Sequence, residues 1–329
     1  MRALLVVVLV AAGLWAGYWV VGSRVMDSAV NQWFAAPGPG LTATNSDVSV
    51  SGFPNRFDLT VTNPAIADPE QGWGWQAPFA QVFMMTWKPW HLIAALPQEQ
   101  QIVTPQGPFT LKSSQLEASL VLIPGSALAL DRTVLTGEGL ALVGTGGWEV
   151  GATKATLATR LMPDNAQAHE IGFDATTLTP DASFRMALAA QSDLPEQIER
   201  LHLDAVATLT APLDRFAGQA QPRLAGLRVK EGLLRWGDMV VSAEGEILPA
   251  ADGTAEGRID LRVENWRRLV PVLIASGLIT AEVSPTVTRA MELLAEQGTD
   301  PNVLSVPLSF QSGRMSLGPL PLGPAPKLF

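Results

Sequence analysis

The N-terminus carries the feature that most restricts how this chain can fold. The 21 residues from Ala3 to Ser23 include no charged side chain. As a helix rising ~1.5 Å per residue, a run of this length crosses the ~30 Å hydrocarbon core of a bilayer. The aromatic residues Trp15, Tyr18 and Trp19 fall late in the run, where such side chains favour the membrane interface. The pattern predicts a transmembrane helix.

A cleaved signal peptide is the alternative interpretation of the same segment. The apolar region of a signal peptide usually has about 7–15 residues, which is shorter than this run. Cleavage after Gly22 would nevertheless place the tolerable residue Val20 at position −3. We predict that residues 1–23 are retained as a membrane anchor.

Few charges define the orientation of this anchor. Arg2 precedes the apolar run, whereas Arg24 and Asp27 follow it and nearly cancel. The positive-inside rule therefore favours a cytoplasmic N-terminus and an exported remainder in a single-pass protein. Residues 24–40 are predicted to form a juxtamembrane helix and a linker, and residues 41–329 a β-rich domain.

Apolar and polar residues alternate over many short segments of that domain. Residues 45–51 and 56–62 flank the turn at Gly52-Phe53-Pro54 and predict a hairpin. Turns rich in Pro, Gly and Asp separate the later segments. The repetition predicts a mainly β (α+β) fold, in which an extended, curved antiparallel sheet carries a few short covering helices.

Some local patterns predict particular elements. A short helix is expected over residues 89–96, with Pro at its start, and a strand over residues 183–189. Asn265 and Ser284 are expected to cap two helices that end near Ser276 and Gly298. The domain is predicted either as a single body or as two sheet-plus-helix halves that meet near residues 200–225.

Composition argues against several classes of function. The net charge of −9 disfavours nucleic acid as a partner, because a phosphate backbone requires clustered Lys and Arg. The chain has no Cys, which excludes disulfides, thiolate zinc sites and Cys nucleophiles. His91, His169 and His202 lie far apart in sequence, and neither a P-loop nor a nucleophile elbow occurs. We expect no enzyme activity, no cofactor, no metal and no catalytic residue.

One turn resembles the signature of a known family, which is carried by Gly52, Phe53, Pro54 and Phe57 in Gly-Phe-Pro-Asn-Arg-Phe-Asp-Leu. Residues 87–94 and 317–326 strengthen the likeness. Together these segments resemble the bacterial domain-of-unknown-function 2125 family. The resemblance implies a Gram-negative envelope protein with no assigned activity. Together with the orientation predicted above, it predicts a single-pass protein of the bacterial inner membrane whose C-terminal domain lies in the periplasm.

Residues 236–247 and 257–261 are also similar, more weakly, to the AsmA-like envelope superfamily. That similarity implies a periplasmic sheet curled into an apolar groove and a role in phospholipid traffic or outer-membrane assembly.

Two functions are compatible with these features. The first is an envelope scaffold or assembly factor at the inner membrane that acts through interactions with other envelope proteins. The alternative is phospholipid binding or transfer through an apolar groove. The strand faces between residues 110 and 209 offer the candidate lipid-facing residues, namely Leu116, Leu120, Leu122, Leu157 and Leu203.

Overall fold

A computed structural model describes residues 1–328, and strands that pair antiparallel with one another account for most of them. This confirms the predicted fold class. The chain divides into an N-terminal unit, Met1–Gly137 with Ala141–Gly146, and a C-terminal unit, Glu138–Leu140 with Gly147–Phe329. Residues 200–225, expected as the meeting point of two halves, lie inside the C-terminal unit.

One long helix, α1 (Arg2–Ala35), opens the N-terminal unit. It is long and apolar enough to cross a membrane, as the uncharged run predicts. The helix continues without a break through the expected juxtamembrane segment. It ends just before Pro37, which lacks an N–H group and cannot continue a helical ladder.

Antiparallel strands form the rest of the N-terminal unit, although residues 138–140 of the last of them belong to the C-terminal unit. They are β1 (Thr42–Thr44), β2 (Asp47–Ser51), β3 (Arg56–Thr62), β4 (Ala65–Asp68), β5 (Trp73–Gln76), β6 (Phe79–Met85), β7 (Lys88–Ala95), β8 (Glu99–Thr104), β9 (Gly107–Lys112), β10 (Gln115–Leu122) and β11 (Leu130–Gly144). Hydrogen-bonded neighbours follow the orders β2–β3–β6–β7–β10 and β1–β4–β5–β8–β9–β11. The predicted hairpin around Gly52-Phe53-Pro54 is present as β2 and β3.

The C-terminal unit is a meander in which each strand pairs antiparallel with the next. Its elements are β12 (Glu149–Met162), β13 (Asn165–Thr179), α2 (Ala182–Ala189), β14 (Ile198–Leu209), α3 (Ala217–Ala220), β15 (Leu224–Trp236), β16 (Met239–Pro249), β17 (Ala255–Glu264), a 3-10 turn (Trp266–Arg268), α4 (Leu269–Ala275), α5 (Ser284–Ala295), β18 (Val303–Gln311), β19 (Arg314–Leu317) and β20 (Leu320–Pro324). Register shifts interrupt several of these pairings, and bulges of this kind bend and twist a sheet.

The helix predicted over residues 89–96 is wrong, because these residues form β7. The apolar run there lacks the alternation of a half-exposed strand. β7 pairs with β6 on one side and with β10 on the other, and its residues 90–92 are half-buried on both faces of the strand. Pro89 is tolerated because it lies near the start of the strand.

The strand predicted over residues 183–189 is also wrong, because this segment forms α2. Its alternation of Phe184, Met186 and Leu188 also places two large apolar residues four positions apart, on one helix face. Asp181 decides between the two structures, because its side chain accepts a 2.9 Å hydrogen bond from the backbone N–H of Ser183 and caps the helix.

The two predicted helix caps differ from the structure. Ser284 is the first residue of α5, and neither it nor the preceding Val283 makes a capping hydrogen bond. Asn265 adopts a left-handed conformation before the 3-10 turn, and its side-chain amide donates to the carbonyl of Asp238 at 2.6 Å. Both helices exist, but neither predicted side chain makes a capping hydrogen bond.

Candidate functional site

The two faces of the C-terminal meander differ in chemistry. A row of directly opposed residues crosses it from β12 to β18 on one face, and every member is apolar or Gly: Leu157, Phe173, Leu203, Gly232, Ala243, Leu261 and Val306. The next row on this face is also apolar: Ala155, Ala175, Leu201, Leu234, Val241, Val263 and Leu304. We call this face the apolar side of the C-terminal sheet.

Two of the five predicted groove residues meet on this side. Leu157 and Leu203 both pair with Phe173, one from each neighbouring strand. The side chain of Leu157 is 40% exposed, while Phe173 and Leu203 are half-buried. This end of the row therefore presents apolar surface to solvent.

The other three predicted residues belong to β10 in the N-terminal unit. Leu116 is only 7% exposed, and Leu120 and Leu122 are half-buried. Leu120 lies opposite Leu92 of β7, and Val121 is buried although it points to the opposite face of the strand. The five predicted residues are thus divided between the two units, three in the N-terminal unit and two in the C-terminal unit.

Helices cover the far end of the apolar side. α2, α4, α5 and their flanking turns pack there on a buried cluster that includes Trp236, Met239, Val263, Trp266 and Leu304. The indole N–H groups of the two Trp residues donate to the carbonyls of Pro195 at 2.7 Å and Pro301 at 3.0 Å. These Trp residues fill the space between sheet and helices.

An apolar cleft of about 220 Å³ lies beneath α5. The strands β18 and β19 form its floor. Leu304 and Val306 of β18, which belong to the two apolar rows already described, line this floor. Its lining consists of Thr286, Val287, Ala290, Met291, Leu294, Leu304, Val306, Leu317, Pro319 and Leu320, of which Thr286 alone is polar.

The sequence indicated part of this cleft. The apolar stripe of α5 over Val287, Ala290, Met291 and Leu294 follows directly from its helical spacing. The opposite wall comes from residues 317–320, in a Pro- and Gly-rich segment with no clear periodicity. It folds back as β19 and β20 through the tight β18–β19 hairpin, and the local sequence pattern gives no signal that this places it beside α5.

His169 lies on the apolar side beyond these two rows and is the one titratable side chain that is buried among residues 1–328. It pairs with Leu161 and Ala207, is 3% exposed, and neither ring nitrogen has a hydrogen-bond partner among the described residues. Burial lowers the pKa of this imidazole, because a charged ring would lose its hydration without compensation.

The opposite face of the meander carries paired charges. Glu170 accepts from Lys230 at 2.9 Å and from Arg160 at 2.5 Å, and these hydrogen bonds lower its pKa. The hydrogen bond to Glu170 in turn raises the pKa of Lys230. Asp174 bridges Arg200 and His202 in the same manner. The charges largely satisfy one another, as on a solvated strand surface.

The four signature residues lie around α1 in the N-terminal unit. Phe57 is buried against Tyr18 and Trp19, with ring centroids 6.3 and 6.1 Å apart, and Phe53 meets Trp19 edge-on at 5.4 Å. Pro54 accepts a hydrogen bond from the indole of Trp15 at 3.0 Å, and Gly52 supplies the positive φ of +98° that the turn needs. The signature is thus a docking site for the N-terminal helix.

Comparison with known proteins identifies the family. The family described as "Uncharacterized protein conserved in bacteria (DUF2125)" matches residues 19–326, nearly the whole chain after the first half of α1. No curated protein matches the chain. No match supports the weaker similarity to the AsmA-like superfamily. The long match, with the signature turn packed on α1, shows that this chain belongs to the bacterial domain-of-unknown-function 2125 family.

Proposed function

We propose that α1 anchors this protein in the bacterial inner membrane, with the β-rich units in the periplasm. The uncharged run from Ala3 to Ser23 and the Arg2 that precedes this run support this topology. A reporter enzyme that is active only in the periplasm, fused to the C-terminus, is expected to be active. Activity of a cytoplasm-dependent reporter at the same position would contradict the proposed orientation.

The function we propose for the C-terminal unit is the binding of a phospholipid acyl chain on its apolar side. The apolar cleft beneath α5 is the observation that carries this proposal, because nine of its ten lining residues cannot hydrogen-bond through their side chains. A hydrocarbon chain loses no hydrogen bond on entering such a site, whereas a polar ligand would leave its own groups unsatisfied.

The size of the cleft restricts what it holds. Its volume of about 220 Å³ is below the ~300–1,000 Å³ of pockets that enclose a whole small molecule. The cleft therefore fits a segment of one chain, with the rest of the lipid outside it. The row from Val306 to Leu157 extends the apolar surface away from the cleft.

Filling the cleft tests this proposal. Ala290→Phe places a ring in the cleft, and Leu293→Phe places the same ring on the exposed side of the same helix. We expect native mass spectrometry to detect phospholipid on the wild type and on Leu293→Phe, and to show its loss from Ala290→Phe. Equal lipid on both variants would contradict the proposal.

A scaffold that holds other envelope proteins is the second candidate, and the exposed Leu157 beside Phe173 favours it. Apolar surface of this kind is covered by another protein in many complexes. This function requires that Leu157→Asp remove co-purifying envelope proteins while any bound lipid stays unchanged. Loss of lipid with an unchanged set of partners would instead favour the acyl-chain site.

A further inference from the structure

The N-terminal unit holds α1 at residues that belong to the uncharged run. The indoles of Trp15 and Trp19 donate to the carbonyls of Pro54 at 3.0 Å and Arg56 at 2.7 Å. The Tyr18 hydroxyl donates to the carbonyl of Thr86 at 2.8 Å. The unit therefore holds the helix at residues that lie between eight and four positions before the run ends at Ser23.

These contacts are incompatible with a topology in which α1 alone enters the bilayer and every strand stays outside it. Residues 3–14, which precede the first contact, rise only about 18 Å as a helix, whereas the hydrocarbon core is ~30 Å thick. The remaining length must come from residues 15–23. The two turns that contact these residues must then lie at the depth of the outer hydrocarbon or headgroup layer.

The two turns carry side chains suited to that depth. One is the β2–β3 turn, whose Phe53 is 58% exposed, and the other is the β6–β7 turn, whose Trp87 is 56% exposed. Met85, beside the second turn, is also exposed, and Lys88 follows Trp87. Exposed aromatic residues with an adjacent cation are the composition that favours a membrane interface.

Backbone carbonyl groups of the two turns also have hydrogen-bond donors within the protein, as an environment poor in water requires. Unbonded carbonyl groups are costly at membrane depth, so irregular backbone there needs internal partners. Besides the three carbonyls bonded by α1, the carbonyl of Asn55 accepts from the N–H and the hydroxyl of Thr86 at 3.1 and 3.2 Å. The carbonyl of Gly52 accepts from the N–H of Arg56 at 2.9 Å.

We infer that the tips of the β2–β3 and β6–β7 hairpins insert into the lipid bilayer beside α1, with Phe53 and Trp87 at the boundary between headgroups and acyl chains. This inference rests on the proposed membrane anchor, but not on the acyl-chain site of the C-terminal unit. The partner is the bilayer itself, recognised by apolar side chains and shielded carbonyls. The hairpins would fix the height and tilt of the β-rich unit above the membrane.

The natural chain has no Cys, so single labels report on single positions. Phe53→Cys and Trp87→Cys, each carrying an environment-sensitive fluorophore, are reconstituted as full-length protein in vesicles of phosphatidylethanolamine and phosphatidylglycerol. Leu9→Cys marks the middle of α1, and Val103→Cys on β8 marks an exposed apolar position on a strand of the same unit. Circular dichroism confirms that each variant is folded.

Nitroxides attached to lipid acyl chains are expected to quench the labels at positions 9, 53 and 87. A water-soluble quencher is expected to act on position 103 alone. Lipid quenching at position 9 combined with aqueous quenching at positions 53 and 87 would overturn the inference and leave the anchor intact. Aqueous quenching at position 9 would overturn both.

Discussion

Gly22 of α1 lies so close to Phe57 of β3 that a Cβ atom added at Gly22 would come within 2.7 Å of the ring atom Cζ. The ring has little freedom to move away, because it is 3% exposed and Trp19 stacks on it. The close approach of helix and strand therefore depends on the absence of a side chain at this position.

Gly22→Val is expected to weaken the docking of α1 on the hairpin. Overpacking of a closed contact costs about 1–3 kcal/mol. Gly17→Val is the matched control, because the space around Gly17 is open on the same helix. Thermal unfolding of the full-length protein in detergent should show a lower midpoint for Gly22→Val alone. Equal midpoints for both variants would mean that α1 is not held at this contact.

Substitution by Lys should lower the free energy of unfolding at the buried members of the predicted groove and leave it nearly unchanged at the exposed ones. Leu116→Lys buries an ammonium group without a partner and is expected to cost several kcal/mol, enough to unfold a marginally stable domain. Leu157→Lys keeps its charge in water and is expected to change stability by less than about 0.5 kcal/mol. Denaturant midpoints measure both, and a large loss at Leu157 would show that this residue is covered.

The observed cap at Asp181 and the predicted cap at Ser284, which makes no capping bond, give a paired test. Asp181→Ala removes the acceptor for the N–H of Ser183 and for that of Glu149 at 3.0 Å, and is expected to lower the unfolding midpoint. Ser284→Ala removes no capping bond and is expected to leave the midpoint unchanged. Because hydrogen bonds from Ser183 and Glu149 lower the pKa of Asp181 to about 2, its stabilising effect is lost as the pH falls from about 4 towards 2. A pH-independent effect of Asp181→Ala would refute this interpretation.

His169 should also make the free energy of unfolding depend on pH, in a range closer to neutrality than that of Asp181. Its pKa in the folded protein lies below the ordinary value of about 6.5, so the unfolded chain takes up a proton first as the pH falls. Stability is then expected to decrease from about pH 7 towards pH 5. His169→Leu and His169→Gln, which cannot titrate, should both flatten this slope. A slope that survives both substitutions would exclude His169 as its source.

Strand periodicity predicted most of the fold because the strands of the C-terminal meander have one polar and one apolar face. It failed at residues 89–96, where β7 lies between two strands and its apolar residues do not alternate. It failed at residues 183–189 because a segment this short satisfies both periods, and the cap at Asp181 decides.

The candidate site was predictable only in part. Strand alternation indicates that Leu157 and Leu203 each lie on the apolar face of their own strand. That both pair with Phe173 depends on the register between strands, which alternation does not give. The grip on α1 consists of side chains that bond turn carbonyls more than 30 positions away in the chain, and spacing gives no signal for such bonds. The family resemblance singles out the signature turn, but it does not indicate that the turn packs against α1.

The most direct test of the acyl-chain site is to locate a bound lipid by covalent capture. The full-length protein is reconstituted with a phospholipid that carries a photoreactive group near the end of one acyl chain, and the labelled peptides are mapped by mass spectrometry after irradiation. The account predicts labelling of α5 between Thr286 and Leu294 or of β18 at Leu304 and Val306, and its loss in Ala290→Phe. Labelling restricted to α1, with the cleft peptides unmodified in the wild type, would contradict it.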